Sequence, residues 1–205
     1  MNRLLPLLLC CSIACSPDEK DDDNGDNGGT TSGTTDDGDT GDTGDTGTTD
    51  DPPPPDPWVE YYYVESVIDV DNGSFIFEET YWASRSIHPE NHLITERFVA
   101  EADGTETGVV LTVNAELDGF SLDINGGEYT GAGNLYGDAW DWSSWDSISN
   151  ATDGTSVHST DTRTATGITS AKVGFGTEGL PEWEMDEVLT EVTEADFEAG
   201  LAAID

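Results

Sequence analysis

Three tryptophans lie close together in the second half of the chain, at positions 140, 142 and 145. An indole ring has a broad apolar face that packs in protein cores and also stacks against sugar rings. Alternate side chains of a strand point to opposite faces, so the spacing predicts Trp140 and Trp142 on one face and Trp145 on the other. Facing inward, the first two would line a core or cavity, which is the commoner role. Facing outward, they would form a platform for a glycan.

Carboxylates recur at every second position in Glu182–Asp186, which places them on one face of a predicted strand. Paired carboxylates carry out glycoside hydrolysis, in which one protonates the leaving group and the other attacks the sugar. The corresponding pattern in such enzymes needs another carboxylate at position 188 or 189, where Val188 and Leu189 stand. A solvated acidic face is therefore the preferred interpretation. We predict no catalytic residues and no enzyme activity.

Two further motifs could bind a metal or a cofactor. His88 and His92 have the spacing of zinc ligands on a helix, but Pro89 between them disfavours helical geometry at His88. The segment Gly174–Gly179 has the letters of a dinucleotide-binding loop, but that loop must lead into a helix. Here it leads into a strand pattern through Leu180, which predicts a glycine-rich turn. No metal and no cofactor are expected.

The charge of the chain restricts its partners. It has 44 acidic and 6 basic residues, a formal net charge of −38. Between Trp58 and Asp205 alone, 30 acidic residues face four basic ones. A surface with this excess repels phosphate backbones, so nucleic acid is not expected as a partner.

The amino-terminal residues 1–14 have the features of an export signal. Arg3 supplies positive charge ahead of the short apolar stretch Leu4–Leu9. That stretch is too short for a membrane-spanning helix, which needs about 20 apolar residues, and it fits a removable signal peptide. The residues that end it, Ser12-Ile13-Ala14-Cys15, resemble the lipobox of bacterial lipoproteins.

This resemblance implies cleavage before Cys15, a diacylglycerol thioether on its sulfur and acylation of its new amino group. Such a lipid would make the membrane a partner of the protein through Cys15. Ser16 follows, and the resemblance then implies an outer-membrane destination, on the periplasmic or the surface face. The other cysteines, Cys10 and Cys11, lie in the removed segment, so the mature chain is expected to have no disulfide.

Residues 15–57 are predicted to be a lipidated, disordered tether. They are rich in Asp, Thr and Gly and contain too few apolar residues to offset the entropy of ordering the chain. The run Pro52–Pro55 closes the segment and favours a stiff polyproline II conformation. The tether should hold the following domain away from the membrane.

Residues 58–205 contain all the aromatic residues and are predicted to form one all-β domain. About ten short alternating strands are separated by turn residues, among them strands near 58–70, 156–164 and 182–192. The firmest pair is the hairpin at Asp118-Gly119, between strands near 109–117 and 120–124. Thr193 is the predicted N-cap of a short C-terminal helix, whose apolar face includes Phe197.

Short connections imply antiparallel neighbours, and these fit either an up-and-down barrel or a two-sheet β-sandwich. The barrel is the preferred fold. The order of strands and the terminal helix resemble the calycin, or lipocalin-like, barrels. The Gly-x-Trp signature of their first strand is missing here, and Pro57-Trp58 is the nearest segment to it. The resemblance implies a small apolar ligand in the barrel. The alternative is a surface-displayed module of the sandwich type that binds carbohydrate or mediates adhesion through the three tryptophans.

Overall fold

The computed structural model describes residues 53–70, 73 and 75–204, and it is an all-β structure with one short α-helix. The strands are β1 (Trp58–Val70), β2 (Phe75–His88), β3 (Leu93–Ala100), β4 (Glu106–Val113), β5 (Gly119–Ile124), β6 (Tyr129–Asp138), β7 (Asp141–Ala151), β8 (Ser156–Thr164), β9 (Gly167–Phe175) and β10 (Pro181–Glu191). A 3₁₀ turn covers Pro89–Asn91, and helix α1 covers Glu194–Leu201. The predicted signal peptide, the predicted lipidation site Cys15 and the predicted tether up to residue 52 lie outside the described residues.

The ten strands form a closed antiparallel barrel of the up-and-down kind. Each strand pairs with the next along the chain, and β1 closes the ring by pairing with β10. Val64 of β1, for example, stands opposite Tyr81 on one side and Leu189 on the other. Closure leaves no unpaired sheet edge. The prediction of an up-and-down barrel with a short C-terminal helix is confirmed, and the sandwich alternative is wrong.

The hairpin between β4 and β5 is confirmed, but its turn is longer than the predicted Asp-Gly pair. Strand β4 ends at Val113, which pairs with Phe120. The Asn114 side chain then accepts hydrogen bonds from the backbone N–H groups of Asp118 and Gly119, at 3.1 and 3.2 Å. This side chain takes the place of further ladder bonds, so the alternation that continues to residue 117 in the sequence does not continue as a strand.

Alternate residues of every strand point into the barrel and fill much of it. Their apolar members form one core, in which the burial of each side chain contributes about 1.5–3 kcal/mol. The core consists of Tyr62, Val64, Ala83, Ile87, Ile94, Leu111, Val113, Phe120, Leu122, Leu135, Trp142, Trp145, Ile168 and Leu189.

The helix packs on the outer surface of the barrel. Thr193 caps its first turn, since its hydroxyl accepts a hydrogen bond from the Asp196 N–H at 3.2 Å, as predicted. Phe197 contacts the rings of Tyr61 and Trp82, with centroids 5.0 and 6.5 Å away. The helix thus buries outward-facing aromatic residues of β1 and β2. In the part of the chain that the structure describes, no helix is long and apolar enough to cross a membrane.

Candidate functional site: a two-sided cavity inside the barrel

The interior of the barrel contains a cavity of about 140 Å³. Strands β3, β4 and β5 supply an apolar wall to it. These strands lie across the ring from β8, β9 and β10, which supply charged and hydroxyl side chains together with Val157, Ile168 and Leu189 and are called the polar wall here. The apolar wall consists of Phe98, Val109, Leu111, Phe120, Leu122 and Ile124.

The polar wall of the cavity carries ionisable side chains at inward-facing positions. Asp161, Lys172 and Glu187 come from three neighbouring strands, and serines of β7 and β8 lie beside them. Arg85 and Glu96, which face each other in the register of β2 and β3, complete the charged part of the lining. A ligand in this cavity would therefore meet hydrocarbon on one side and charge on the other.

An ion pair joins two residues of the polar wall. Lys172 Nζ donates to Glu187 Oε2, and the other carboxylate oxygen accepts a hydrogen bond from the Ser66 hydroxyl at 3.2 Å. Glu187 is only 7% exposed. Burial alone would lower the pKa of Lys172, but the nearby charges of Glu187 and Asp161 outweigh it and raise that pKa. Lys172 is accordingly a bound cation and not a neutral amine.

A second, partly buried pair lies at the end of the barrel where β1 begins. Arg163 donates from Nη1 and Nη2 to Glu60 Oε1, each at 3.2 Å. Tyr62 donates its hydroxyl to the other Glu60 oxygen at 2.7 Å, and Trp58 donates to Oε1 at 3.2 Å. Burial raises the pKa of Glu60, but the Tyr62 hydrogen bond and the Arg163 charge reverse the effect, and the resulting pKa is lowered. The pair engages both terminal nitrogens of Arg163, and its Nε is left as a buried donor without an acceptor in the described structure.

Arg85 is the cation that the barrel leaves without hydrogen bonds. Its side chain is buried, with Nε 3.2 Å from Glu96 Oε1 but not aligned for a hydrogen bond. Both Nε and Nη1 lack a hydrogen-bond acceptor in the described structure. The guanidinium carbon lies 4.5 Å from the centroid of the Trp145 ring, which is a cation–π distance. Buried donors without partners are costly, so this group is a candidate for ligand recognition.

Two carboxyl groups of the cavity lining have raised pKa values. Burial raises the pKa of Glu96, and the Arg85 charge opposes only part of that rise. Burial also raises the pKa of Asp161, against the charge of Lys172 and a 2.7 Å hydrogen bond from Ser159. Both groups therefore hold a proton more readily than exposed carboxyls do.

The three tryptophans of the cluster at positions 140–145 lie at the core of the barrel and do not form one open face. Trp142 and Trp145 are both buried, because a register shift after Tyr136 turns both toward the interior. Trp140 occupies the turn before β7 with a φ of 65° and packs against the core while remaining partly accessible. The predicted alternation across these residues is therefore wrong. Glycan binding by this cluster stays a prediction, with Trp140 its accessible member.

The acidic strand divides between the two faces of the barrel. Glu182, Glu184 and Asp186 point outward and are exposed, in keeping with the preferred interpretation. The residue that the sequence interpretation missed is Glu187, which points inward. A signal for it was present, because Met185 and Leu189 share its alternating face and are apolar. A lone acid between two buried apolar residues of one face marks an interior charge.

The other predicted motifs lie away from the cavity. His88 lies near Glu90, and His92 Nδ1 lies 3.1 Å from the Asn114 carbonyl oxygen. Among residues 53–70, 73 and 75–204, no group of three or more metal-ligating side chains is close enough to hold an ion. The glycine-rich segment at 174–179 spans the end of β9 and the turn before β10, as predicted.

No protein-family model, curated protein or solved structure matches this chain.

Proposed function

We propose that this protein is a lipid-anchored cell-envelope protein whose barrel binds a small molecule in its interior, without catalysing a reaction. The single observation that carries the binding role is the cavity of about 140 Å³ with an apolar wall and a charged wall. An apolar cavity of about 150 Å³ is large enough to hold benzene. The ligand is therefore of that size, and its chemistry is amphipathic rather than wholly apolar.

The lining supports an amphipathic ligand on energetic grounds. An apolar group placed against Phe98, Leu111 and Phe120 loses contact with water at a gain of about 25 cal/mol per Å². A wholly apolar molecule would also cover Arg85 and Glu96 without offering them hydrogen bonds, which is costly. A molecule with one polar end avoids that cost.

Matched substitutions on β4 test the binding role. Val109 lines the cavity, whereas its neighbour Val110 is exposed on the outside of the barrel. Val109→Phe should fill the cavity and abolish the binding of benzene-sized amphipathic molecules, as followed by tryptophan fluorescence and calorimetry on the full-length protein. Val110→Phe adds the same volume outside and should bind as the wild type does. Equal binding by both variants, or no binding of any such molecule to the wild type, would contradict the proposal.

The lipid anchor has its own test, which does not depend on the cavity. It rests on the resemblance of Ser12-Ile13-Ala14-Cys15 to the lipobox. Cys15→Ala should abolish metabolic labelling with a fatty acid and release the protein from the membrane fraction. Cys11→Ala changes a cysteine of the predicted signal peptide and should leave labelling and fractionation unchanged. Labelling that persists in Cys15→Ala would refute the anchor.

A further inference from the structure

We propose that the ligand is a small monocarboxylate, such as an aromatic acid of the size of benzoate, whose carboxylate binds Arg85 and whose apolar body packs on the β3–β5 wall. This inference rests on the proposed binding role of the same cavity and names its ligand class. It follows from which charges inside the barrel are already satisfied and which are not.

The cations inside the barrel differ in how far they are satisfied. Lys172 is paired with Glu187, and Arg163 is held by Glu60 through two nitrogens, which leaves only its Nε without an acceptor in the described structure. Arg85 has two buried nitrogens without hydrogen-bond acceptors, although its residue is only 5% exposed. A planar guanidinium presents parallel N–H donors that match the two oxygens of a carboxylate. Because Arg85 already has Glu96 as an ion partner, the ligand is chosen by the unsatisfied donors, and a monocarboxylate offers them two oxygens while adding less negative charge than a phosphate dianion.

The neighbours of Arg85 favour an incoming anion despite the acidic residues nearby. Among the described residues, Arg85 forms one ion pair, through Nε to Glu96, and its Nη1 has no hydrogen-bond acceptor. Burial raises the pKa values of Glu96 and Asp161, so these carboxyls oppose an incoming anion less than exposed carboxylates would. The Trp145 ring holds the guanidinium from one side and limits its freedom to turn away.

The size of the cavity restricts the apolar part of the ligand. About 140 Å³ accommodates one six-membered ring with a short substituent and excludes a long acyl chain. The apolar wall contains two aromatic residues, Phe98 and Phe120, which suit an aromatic body by edge-to-face contact.

The test compares benzoate with benzyl alcohol, which has a similar shape and no charge. Binding to the full-length protein is measured by calorimetry and by the fluorescence of the tryptophans, of which Trp145 contacts Arg85. Because a hydrogen bond to a charged group contributes about 1.5–3 kcal/mol, benzoate should bind about ten times or more tighter than benzyl alcohol. Benzyl alcohol binding as tightly as benzoate would overturn the inference but leave the proposed binding role intact. No binding of either compound, or of the wider panel, would overturn both.

Substitutions assign the binding to Arg85. Arg85→Met should reduce benzoate affinity about tenfold or more and leave benzyl alcohol affinity unchanged. Arg97→Met is the matched control, since Arg97 is an arginine on the outer face, paired with Glu106. If circular dichroism shows that Arg85→Met does not fold, Arg85→Lys is used instead, because it keeps the positive charge but cannot bind a carboxylate through two parallel N–H groups. Benzoate affinity equal to wild type in the folded Arg85 variant would refute the assignment.

Discussion

The two faces of β10 carry the same kind of residue under opposite conditions. On the outside, Glu184 and Asp186 are exposed to water. On the inside, Glu187 is buried between Met185 and Leu189 and is held by Lys172 and Ser66. The outer carboxylates need no partner, because water solvates them, whereas the inner carboxylate requires a cation and a hydroxyl. The role of an acidic residue in this protein thus depends on the face it occupies and not on its type.

The basic residues of the domain also differ between inward and outward positions. Of the four between Trp58 and Ile204, Arg85, Arg163 and Lys172 stand at inward positions, and only Arg97 stands outside. A domain with so large an acidic excess places most of its cations where they contact buried carboxylates. Its outer surface is left almost uniformly negative, which strengthens the exclusion of polyanionic partners.

The largest difference in the free energy of unfolding is expected between alanine substitutions of the inner and the outer glutamate of β10. Glu187→Ala leaves Lys172 without its partner beside a buried wall, and it should lower the free energy of unfolding by about 3 kcal/mol. Glu184→Ala removes a solvated charge and should change it by about 0.5 kcal/mol or less. Urea denaturation followed by circular dichroism measures both. Equal losses would show that the inner pair has no special role in stability.

A smaller difference in the free energy of unfolding is expected between breaking the Arg163–Glu60 pair and breaking the Arg97–Glu106 pair. The Arg163–Glu60 pair is largely shielded from water, whereas Arg97 and Glu106 are 44% and 57% exposed in their side chains. Arg163→Met should lower the free energy of unfolding by about 1–2 kcal/mol, because Glu60 loses its cation and keeps only neutral donors. Arg97→Met should cost about 0.5 kcal/mol or less, as exposed pairs do. A larger loss in Arg97→Met would reverse the comparison.

The smallest expected effect is on the pH dependence of folding stability and comes from the Asp161 carboxyl. Burial raises the pKa of Asp161 in the folded protein, so the folded state binds the proton more tightly than the unfolded state does. This contribution to stability is present at low pH and is lost as the pH rises from the unfolded pKa, about 3.9, through the folded one. Asp161→Asn should therefore match the wild type below about pH 4 and become the more stable of the two as the pH rises.

The control for this prediction is Asp186→Asn on the exposed face of β10. Its stability should follow the wild type within about 0.5 kcal/mol across the pH range. Urea denaturation at pH 4, 5.5 and 7 gives both curves. An Asp161→Asn variant whose advantage shrinks as the pH rises would contradict the raised pKa of this carboxyl.

Most of the fold could be predicted because its signals are local. Alternation and turn residues placed strands near 58–70, 156–164 and 182–192, and the structure has β1, β8 and β10 at nearly the same residues. The Thr193 cap was also readable, since it depends on residues three positions apart. The turn after β4 was misjudged because the Asn114 side chain competes with the ladder, and this competition has no fixed pattern in sequence.

The candidate site was largely hidden from the sequence. Arg85, Lys172 and Glu187 stand at inward positions, where alternation predicts apolar residues, and each of them resembles a surface charge when it is considered alone. The cavity needs contributions from β2 to β5 and from β7 to β10, which lie far apart along the chain. The cavity exists because the inward side chains of these strands do not fill the centre of the barrel, and no local sequence pattern indicates this.

The sequence by itself determined the antiparallel order of the strands, the position of the helix, the acidic surface and the lipobox-like Cys15 motif. Each depends on residues within a few positions of one another. Only the tertiary structure decided that β1 closes on β10, that three cations lie inside and that Arg85 remains without a hydrogen bond. The physical reason is that closure brings together residues that are more than 100 positions apart, such as Ser66 and Glu187. Burial then turns ordinary charges into groups that require partners.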